Sequence, residues 1–241
     1  MARVFLVTGG NSSIGFELVR LLAEENHTVY LSARNEAAGK EAQKKLLADG
    51  LKTVKFVLLD VTDPATIQAA KETIEKGEGK LDVLVNNAAI GKVDSDQSPV
   101  SIALPTLRDA FETNFFGVVQ TTTILLPLLR KSSQPVILNV SSELGSNYAQ
   151  SRPGSRYHPV AYNTTKAALN SYTIALAQEL KGEGFKVNAA TPGLTSSKLN
   201  GFMAGGKSLR EGALALLPHA LLDKDGPTCK FFDSKGNEFH W

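Results

Sequence analysis

The sequence predicts one α/β domain over residues 1–241, a doubly wound parallel sheet flanked by helices, and three observations predict it. Short apolar, β-branched runs alternate with helical patterns along most of the chain, the arrangement that gives parallel strands joined by right-handed crossovers. The first run is apolar throughout, as in a strand covered on both faces, and it leads through a glycine turn into a helix. A length of 241 residues lies within the range of one large α/β domain.

The first strand runs from Arg3 to Thr8. Gly9-Gly10-Asn11-Ser12-Ser13-Ile14-Gly15 follows, and Phe16, Leu18, Val19, Leu21 and Leu22 carry a helical apolar stripe to Glu25. Strand, glycine turn and helix together place a helix N-terminus where it can receive a dinucleotide pyrophosphate, with Gly9 for the tight turn and Gly15 for close packing. Many βα junctions use such a turn for connection alone. Thr28 to Ser32 is the second strand, and Arg34 follows it. In a Rossmann-type unit a carboxylate here selects a free ribose 2′-hydroxyl and an Arg accommodates a 2′-phosphate, so Arg34 predicts NADP(H). The alternative is a solvated loop residue.

A polar helix from Glu36 to Ala48 leads to a strand from Val54 to Leu59, which ends in Asp60-Val61-Thr62-Asp63-Pro64. Asp63 or Thr62 can cap the next helix, Ala65 to Lys76, and Pro64 suits its first turn. The fourth strand ends in Asn86-Asn87-Ala88-Ala89. A long helical pattern from Leu104 to Leu129 holds Asn114 among apolar residues, where its amide needs partners as a core residue or as part of a site. Gln134 to Val140 is the fifth strand, Ala161 to Leu180 a helix, and Phe185 to Ala190 the sixth strand, broken by Thr191-Pro192-Gly193-Leu194-Thr195. Ser196 to Trp241 reads as Gly-rich and apolar pieces, with an edge strand at Pro227 to Phe232.

Lys and Arg total 26 against 24 Asp and Glu, and no basic run exceeds two residues, so no nucleic-acid partner is expected. The single Cys229 excludes an intrachain disulfide, and no neighbouring His suggests a metal site. No apolar run approaches the roughly 20 residues of a membrane span. The chain enters its first strand with no leader-like segment, so a cytoplasmic location is expected. Sequons at Asn11, Asn26, Asn139 and Asn163 fall mostly within segments read as buried or functional.

The chemistry centres on Asn139 to Lys166. Tyr162 and Lys166, four apart on a helix, lie on one face. A cation beside a phenol of pKa about 10 favours the phenolate and draws it toward the working range of a general acid or base. Ser142, at the preceding strand end, can donate to a carbonyl oxygen that gains charge on reduction. Chance supplies about 0.4 Tyr-x-x-x-Lys pairs at this composition, so the pair needs its context.

That context is the set Thr8-Gly9-x-x-x-x-Ile14-Gly15, Asp60-Val61, Asn86-Asn87-Ala88, Asn114, Ser142, Tyr162-x-x-x-Lys166 and Pro192-Gly193 with Thr195. With it the chain resembles the short-chain dehydrogenase/reductase family over nearly its whole length, and Thr113 to Gly117 and Asp225 to Trp241 look most like the carbonyl-reductase branch. The resemblance implies NADPH-dependent reduction of ketones or aldehydes to alcohols, reversible in direction. Tyr162 would protonate the carbonyl oxygen, Lys166 lower its pKa and bind the nicotinamide ribose, Ser142 polarise the carbonyl, and Asn114 hold a water linking Lys166 to solvent.

The resemblance also implies cofactor contacts from Gly9, Asn11, Ser12, Ser13, Ile14, Gly15, Arg34, Asp60, Val61, Asn87, Ala88, Tyr162, Lys166, Pro192, Gly193, Leu194 and Thr195. Ser13 stands where the family has its middle glycine, and Ala89 where it has glycine. The 20 positions from Ser142 to Tyr162 exceed the family's commonest gap, so Glu143 to Pro159 holds an insertion beside the site. Tyr148, Arg152, Arg156 and Tyr157 are candidates for a substrate entrance, with Leu199, Phe202 and Met203 opposite, which suggests an apolar or aromatic carbonyl substrate. The insertion, and the lack of a tetramer-type C-terminal motif, imply a monomer. Residues 1–140 would mainly hold cofactor and 141–241 carry catalysis and substrate cover. The alternatives are an alcohol dehydrogenase of biosynthetic or steroid type working mainly in oxidation, and a silent NADP(H)-binding sensor.

Overall fold

A computed structural model describes residues 2–155 and 157–241. In chain order the elements are β1 Val4–Val7, α1 Ser13–Glu24, β2 Thr28–Ala33, α2 Glu36–Ala48, β3 Val54–Leu58, α3 Pro64–Glu78, β4 Val83–Asn86, α4 Leu104–Phe111, α5 Gly117–Leu129, β5 Val136–Val140, α6 Asn147–Gln150, α7 Val160–Glu179, β6 Lys186–Ala190, α8 Leu209–Ala220 and β7 Phe231–Phe232. The strands form a parallel sheet in the order β3-β2-β1-β4-β5-β6-β7. This is the doubly wound architecture that the alternation of strand and helix predicts.

Successive side chains of a strand point to opposite faces, and both faces are apolar here. Phe5 and Val7 pack under α1 and α8 with Leu18, Leu22, Ala213 and Leu216, while Val4 and Leu6 face Ile67, Ile74, Leu125 and Leu128 of α3 and α5. Each fully buried Val, Leu, Ile or Phe contributes about 1.5–3 kcal/mol. Because β1 sits between β2 and β4, the strand order reverses direction there. A crevice opens above the carboxyl ends of those two strands, the general ligand position in such sheets.

Most predicted elements stand within a few residues of their expected bounds. The Leu104 to Leu129 pattern is helical throughout, with a π turn at Glu112–Phe116 joining α4 to α5. The pieces after Ser196 include α8, which covers α1 and had a legible start. Ser208 accepts from Glu211 N, and the Glu211 carboxylate accepts from Ser208 N at 2.9 Å, a capping box.

Candidate active site

The glycine turn is held by β4. Thr8 Oγ1 accepts from Asn87 N at 2.8 Å and Ala88 N at 3.0 Å, and Asn87 Nδ2 donates to Thr8 O at 2.8 Å. Gly9 has φ +62°, and a Cβ on Gly15 would lie 2.5 Å from Asn87 Nδ2 and 2.6 Å from Gly9 O. Neither position admits a side chain without moving backbone. Ser13 takes φ +53°, so the chain keeps a glycine-type conformation where the family has its middle glycine. The first turn of α1 has no side-chain cap from Ser12, which leaves its amide donors facing the crevice for an anion. A pyrophosphate fits this cradle.

From the turn a cleft of about 900 Å³ runs across the carboxyl ends of β1, β4, β5 and β6. Every residue implied to touch the cofactor lines it: Gly9, Asn11, Ser12, Ser13, Ile14, Gly15, exposed Arg34, Asp60, Val61, Asn87, Ala88, Tyr162, Lys166, Pro192, Gly193, Leu194 and Thr195. Thr62 N and Oγ1 both donate to Asp60 Oδ1, fixing the loop after β3. Thr195 packs on α8, where a Cβ on Gly212 would lie 2.7 Å from its Oγ1. The helix not read in the sequence therefore sets one edge of the cleft.

At the far end Ser142, Tyr162 and Lys166 come together on the cleft wall. Ser142 follows β5; its Oγ accepts from Leu144 N at 3.2 Å, and its hydroxyl lies near enough to the Tyr162 side chain to draw the phenol pKa down. Tyr162 stands in the first turn of α7, where its backbone N–H donates to Gln97 Oε1 at 3.2 Å. Lys166 is buried one turn on, and its Nζ donates to Val140 O at 2.8 Å and lies 5.7 Å from the Tyr162 ring centroid.

The electrostatics differ from the sequence expectation. Burial pushes the Tyr162 phenol up to about 12, and the nearby Ser142 hydroxyl draws it back only in part. Burial also lowers the Lys166 ammonium to about 8. Without bound ligand, desolvation outweighs the pull of the cation, because Lys166 is turned onto a carbonyl and not onto the phenol oxygen. At neutral pH the phenol carries its proton, the state a general acid needs.

Asn114 is held through its side chain. It is fully buried in the π turn, with Oδ1 accepting from Ile90 N at 2.8 Å and Nδ2 donating to Ile90 O at 3.0 Å and Thr165 Oγ1 at 3.1 Å. Its side-chain amide ties the segment after Asn87 to α7, with both amide hydrogens donated.

Of the entrance candidates, Tyr157, Leu199 and Met203 line the cleft, with Val93, Leu144 and Pro159. Tyr148, Arg152 and Phe202 do not. Tyr148 packs on His240 with the rings tilted by 47° and their centroids 4.4 Å apart, and accepts from Arg152 Nη1 at 2.5 Å. The C-terminal tail has captured it, and nothing in the sequence pattern around it pointed to that partner. Arg156 lies outside the described residues.

The sequence pattern of the short chain dehydrogenases matches residues 3–205. This chain belongs to the short-chain dehydrogenase/reductase family. Salutaridine reductase of Papaver bracteatum is 31% identical over 295 residues, covering 96% of this chain and 94% of its own. A (+)-neomenthol dehydrogenase of Arabidopsis thaliana is 32% identical over 292 residues, covering 97% and 96%. Both alignments are longer than this chain, so these relatives carry segments it lacks. An NADPH-bound carbonyl reductase from chicken fatty liver superposes with a TM-score of 0.88 at 25% identity, covering 100% of this chain and 99% of its own. As a family member the chain is an oxidoreductase, and no described helix is long and apolar enough to cross a membrane.

Proposed function

We propose that this protein is an NADP(H)-dependent reductase of ketones or aldehydes, with Tyr162 as the general acid that protonates the carbonyl oxygen and as the base in the reverse direction. The carrying observation is that one cleft joins the uncapped glycine turn, Arg34 and the Ser142, Tyr162, Lys166 group. The likeness to an NADPH-bound carbonyl reductase supports the cofactor choice. When bound, the cofactor supplies the hydride.

The chain's own residues place and polarise. The α1 N-terminus takes the pyrophosphate, and Arg34 the 2′-phosphate. Ser142 donates to the carbonyl oxygen, beside a Tyr162 phenol kept neutral by burial, which favours reduction at neutral pH. Lys166, charged below about pH 8, holds the nicotinamide ribose and the proton balance of the phenol. Asn114 acts by positioning Ile90 and α7. Val93, Leu144, Tyr157, Leu199 and Met203 favour an apolar or aromatic carbonyl compound. We read the chain as one domain, with 1–140 mainly for cofactor and 141–241 for catalysis and substrate cover, and as a monomer, which light scattering would check.

The deciding experiment is Tyr162→Phe. NADPH still quenches protein fluorescence in the variant, while turnover with an aromatic ketone such as acetophenone falls by about 10³-fold. A fully active variant would overturn the mechanism. Tight NADPH binding by the wild type with no turnover over a carbonyl panel would point to the silent sensor.

A further inference from the structure

We propose that Asn170 is a positioning residue that clamps the chain on both sides of Ser142 and so holds that hydroxyl against Tyr162. The inference rests on the roles of Ser142 and Tyr162 given above. Asn170 lies four residues after Lys166 and eight after Tyr162, on the same face of α7. It is 3% exposed and does not line the cleft, so it touches neither substrate nor cofactor.

Its Oδ1 accepts from Ser141 Oγ at 2.6 Å, and its Nδ2 donates to Gly145 O at 3.1 Å. Ser141 immediately precedes Ser142. Gly145 closes the short 3₁₀ turn Glu143–Gly145, and its N–H donates to Ser142 O at 2.9 Å. One buried amide therefore grips the segment one residue before Ser142 and three residues after it.

The grip is close because the turn rests on α7 directly. A Cβ on Gly145 would lie 2.7 Å from Lys166 Cβ and 2.8 Å from the Lys166 carbonyl carbon. Ser142 is thus referenced to the same helix that carries Tyr162 and Lys166, and the three reacting groups move as one body. Without the clamp the segment keeps the bond from Ser141 N to Ala190 O at 2.8 Å, the bond from Lys166 Nζ to Val140 O and the packing of Gly145 on α7, but no side chain grips both flanks of Ser142. A polarising hydroxyl displaced so that about 1.4 kcal/mol of transition-state stabilisation is lost slows the reaction about tenfold.

The test compares Ser141→Ala and Asn170→Ala with a control, Thr173→Val. Ser141→Ala removes a single bond and guards against Asn170→Ala failing to fold. Thr173→Val breaks another buried bond of α7, from Asn139 Nδ2 at 2.8 Å, away from Ser142. With acetophenone and NADPH, Ser141→Ala and Asn170→Ala lower kcat about tenfold while KM for NADPH stays at its wild-type value, and Thr173→Val keeps kcat. In parallel, amide exchange at Leu144 and Gly145 quickens in the first two variants and not in the control. Equal kcat and equal exchange in folded Ser141→Ala would overturn the clamp, as would an equal loss of kcat in the control. A wild type that reduces no ketone would sink the reductase reading instead, and amide exchange would still decide the clamp.

Discussion

The two walls of the cleft are made of different material. The cofactor wall is backbone, with Gly9 and Gly15 pressed on Asn87, Asn87 bonded back to Thr8, and the first turn of α1 left open. The substrate wall is side chains on loops, with Val93, Leu144, Tyr157, Leu199 and Met203 drawn from three separate connections. Backbone geometry tolerates few residues at each position, whereas an apolar loop side chain can be exchanged for another with only a change of shape. Chemistry shared by a family belongs on the first wall and substrate choice on the second.

The largest effect that would break this contrast is at Gly15. Gly15→Val should lower NADPH affinity about a hundredfold or prevent folding, because overpacking against backbone costs about 1–3 kcal/mol. Leu199→Ala on the other wall should leave NADPH binding within about twofold and shift the substrate KM. Fluorescence titration of both variants checks the pair, and similar losses of NADPH binding would erase the distinction.

Lys166, where the walls meet, gives the next effect. Its folded-state pKa is lowered from 10.5 to about 8, so between those values the unfolded chain binds more protons and stability rises with pH. Below pH 8 the cost of the buried charge is fully present, on the order of 3 kcal/mol at about 1.4 kcal/mol per pH unit. Lys166→Met should therefore be more stable than the ligand-free wild type at pH 7, by a margin that shrinks toward pH 9.5. Denaturant melts at the two pH values measure it, and a constant margin would mean that the lysine is not desolvated.

On the cofactor wall, Arg34 is the exposed side chain that acts by charge. Arg34→Ala should weaken NADPH about tenfold and NADH little, since a single charged contact with a phosphate contributes about 1.5–3 kcal/mol and exposure reduces it. Parallel titrations with the two cofactors decide it. Smallest is Ser13→Gly, which relieves the left-handed backbone at φ +53° and should stabilise by about 0.5–1 kcal/mol, or a rise in Tm of about 1–4 °C. An unchanged Tm would mean that the turn holds Ser13 without strain.

The same contrast explains what could be read in advance. The glycine turn, Arg34, Ser142, Tyr162 and Lys166 were legible because their spacing fixes them to strand ends and one helix face. The helix over Glu36–Ala48 was legible for a similar reason, since its polar composition is a local signal, and the structure adds a cap at Asn35. Asn114 was visible as a buried amide, but its partners Ile90 and Thr165 are 24 and 51 residues away. The capture of Tyr148 by His240 is likewise a long-range event. The α8 start was present in Ser208 and Glu211, but it is hidden among glycines at Gly201, Gly205 and Gly206. The order of the two pKa effects could not be read, because desolvation depends on the depth of the site, which spacing does not encode.

The bond between Asn87 and Thr8 spans 79 residues, and it closes the phosphate turn with a strand made long after the turn itself. During synthesis the first βαβ unit can pair β1 with β2 early, but the binding cradle stays unfinished until β4 has emerged and docked beside β1. Cofactor capture thus reports a late, non-local event in folding. In a refolding experiment, recovery of NADPH binding should trail the recovery of helical signal, and added NADPH should trap the docked state without hastening the helices.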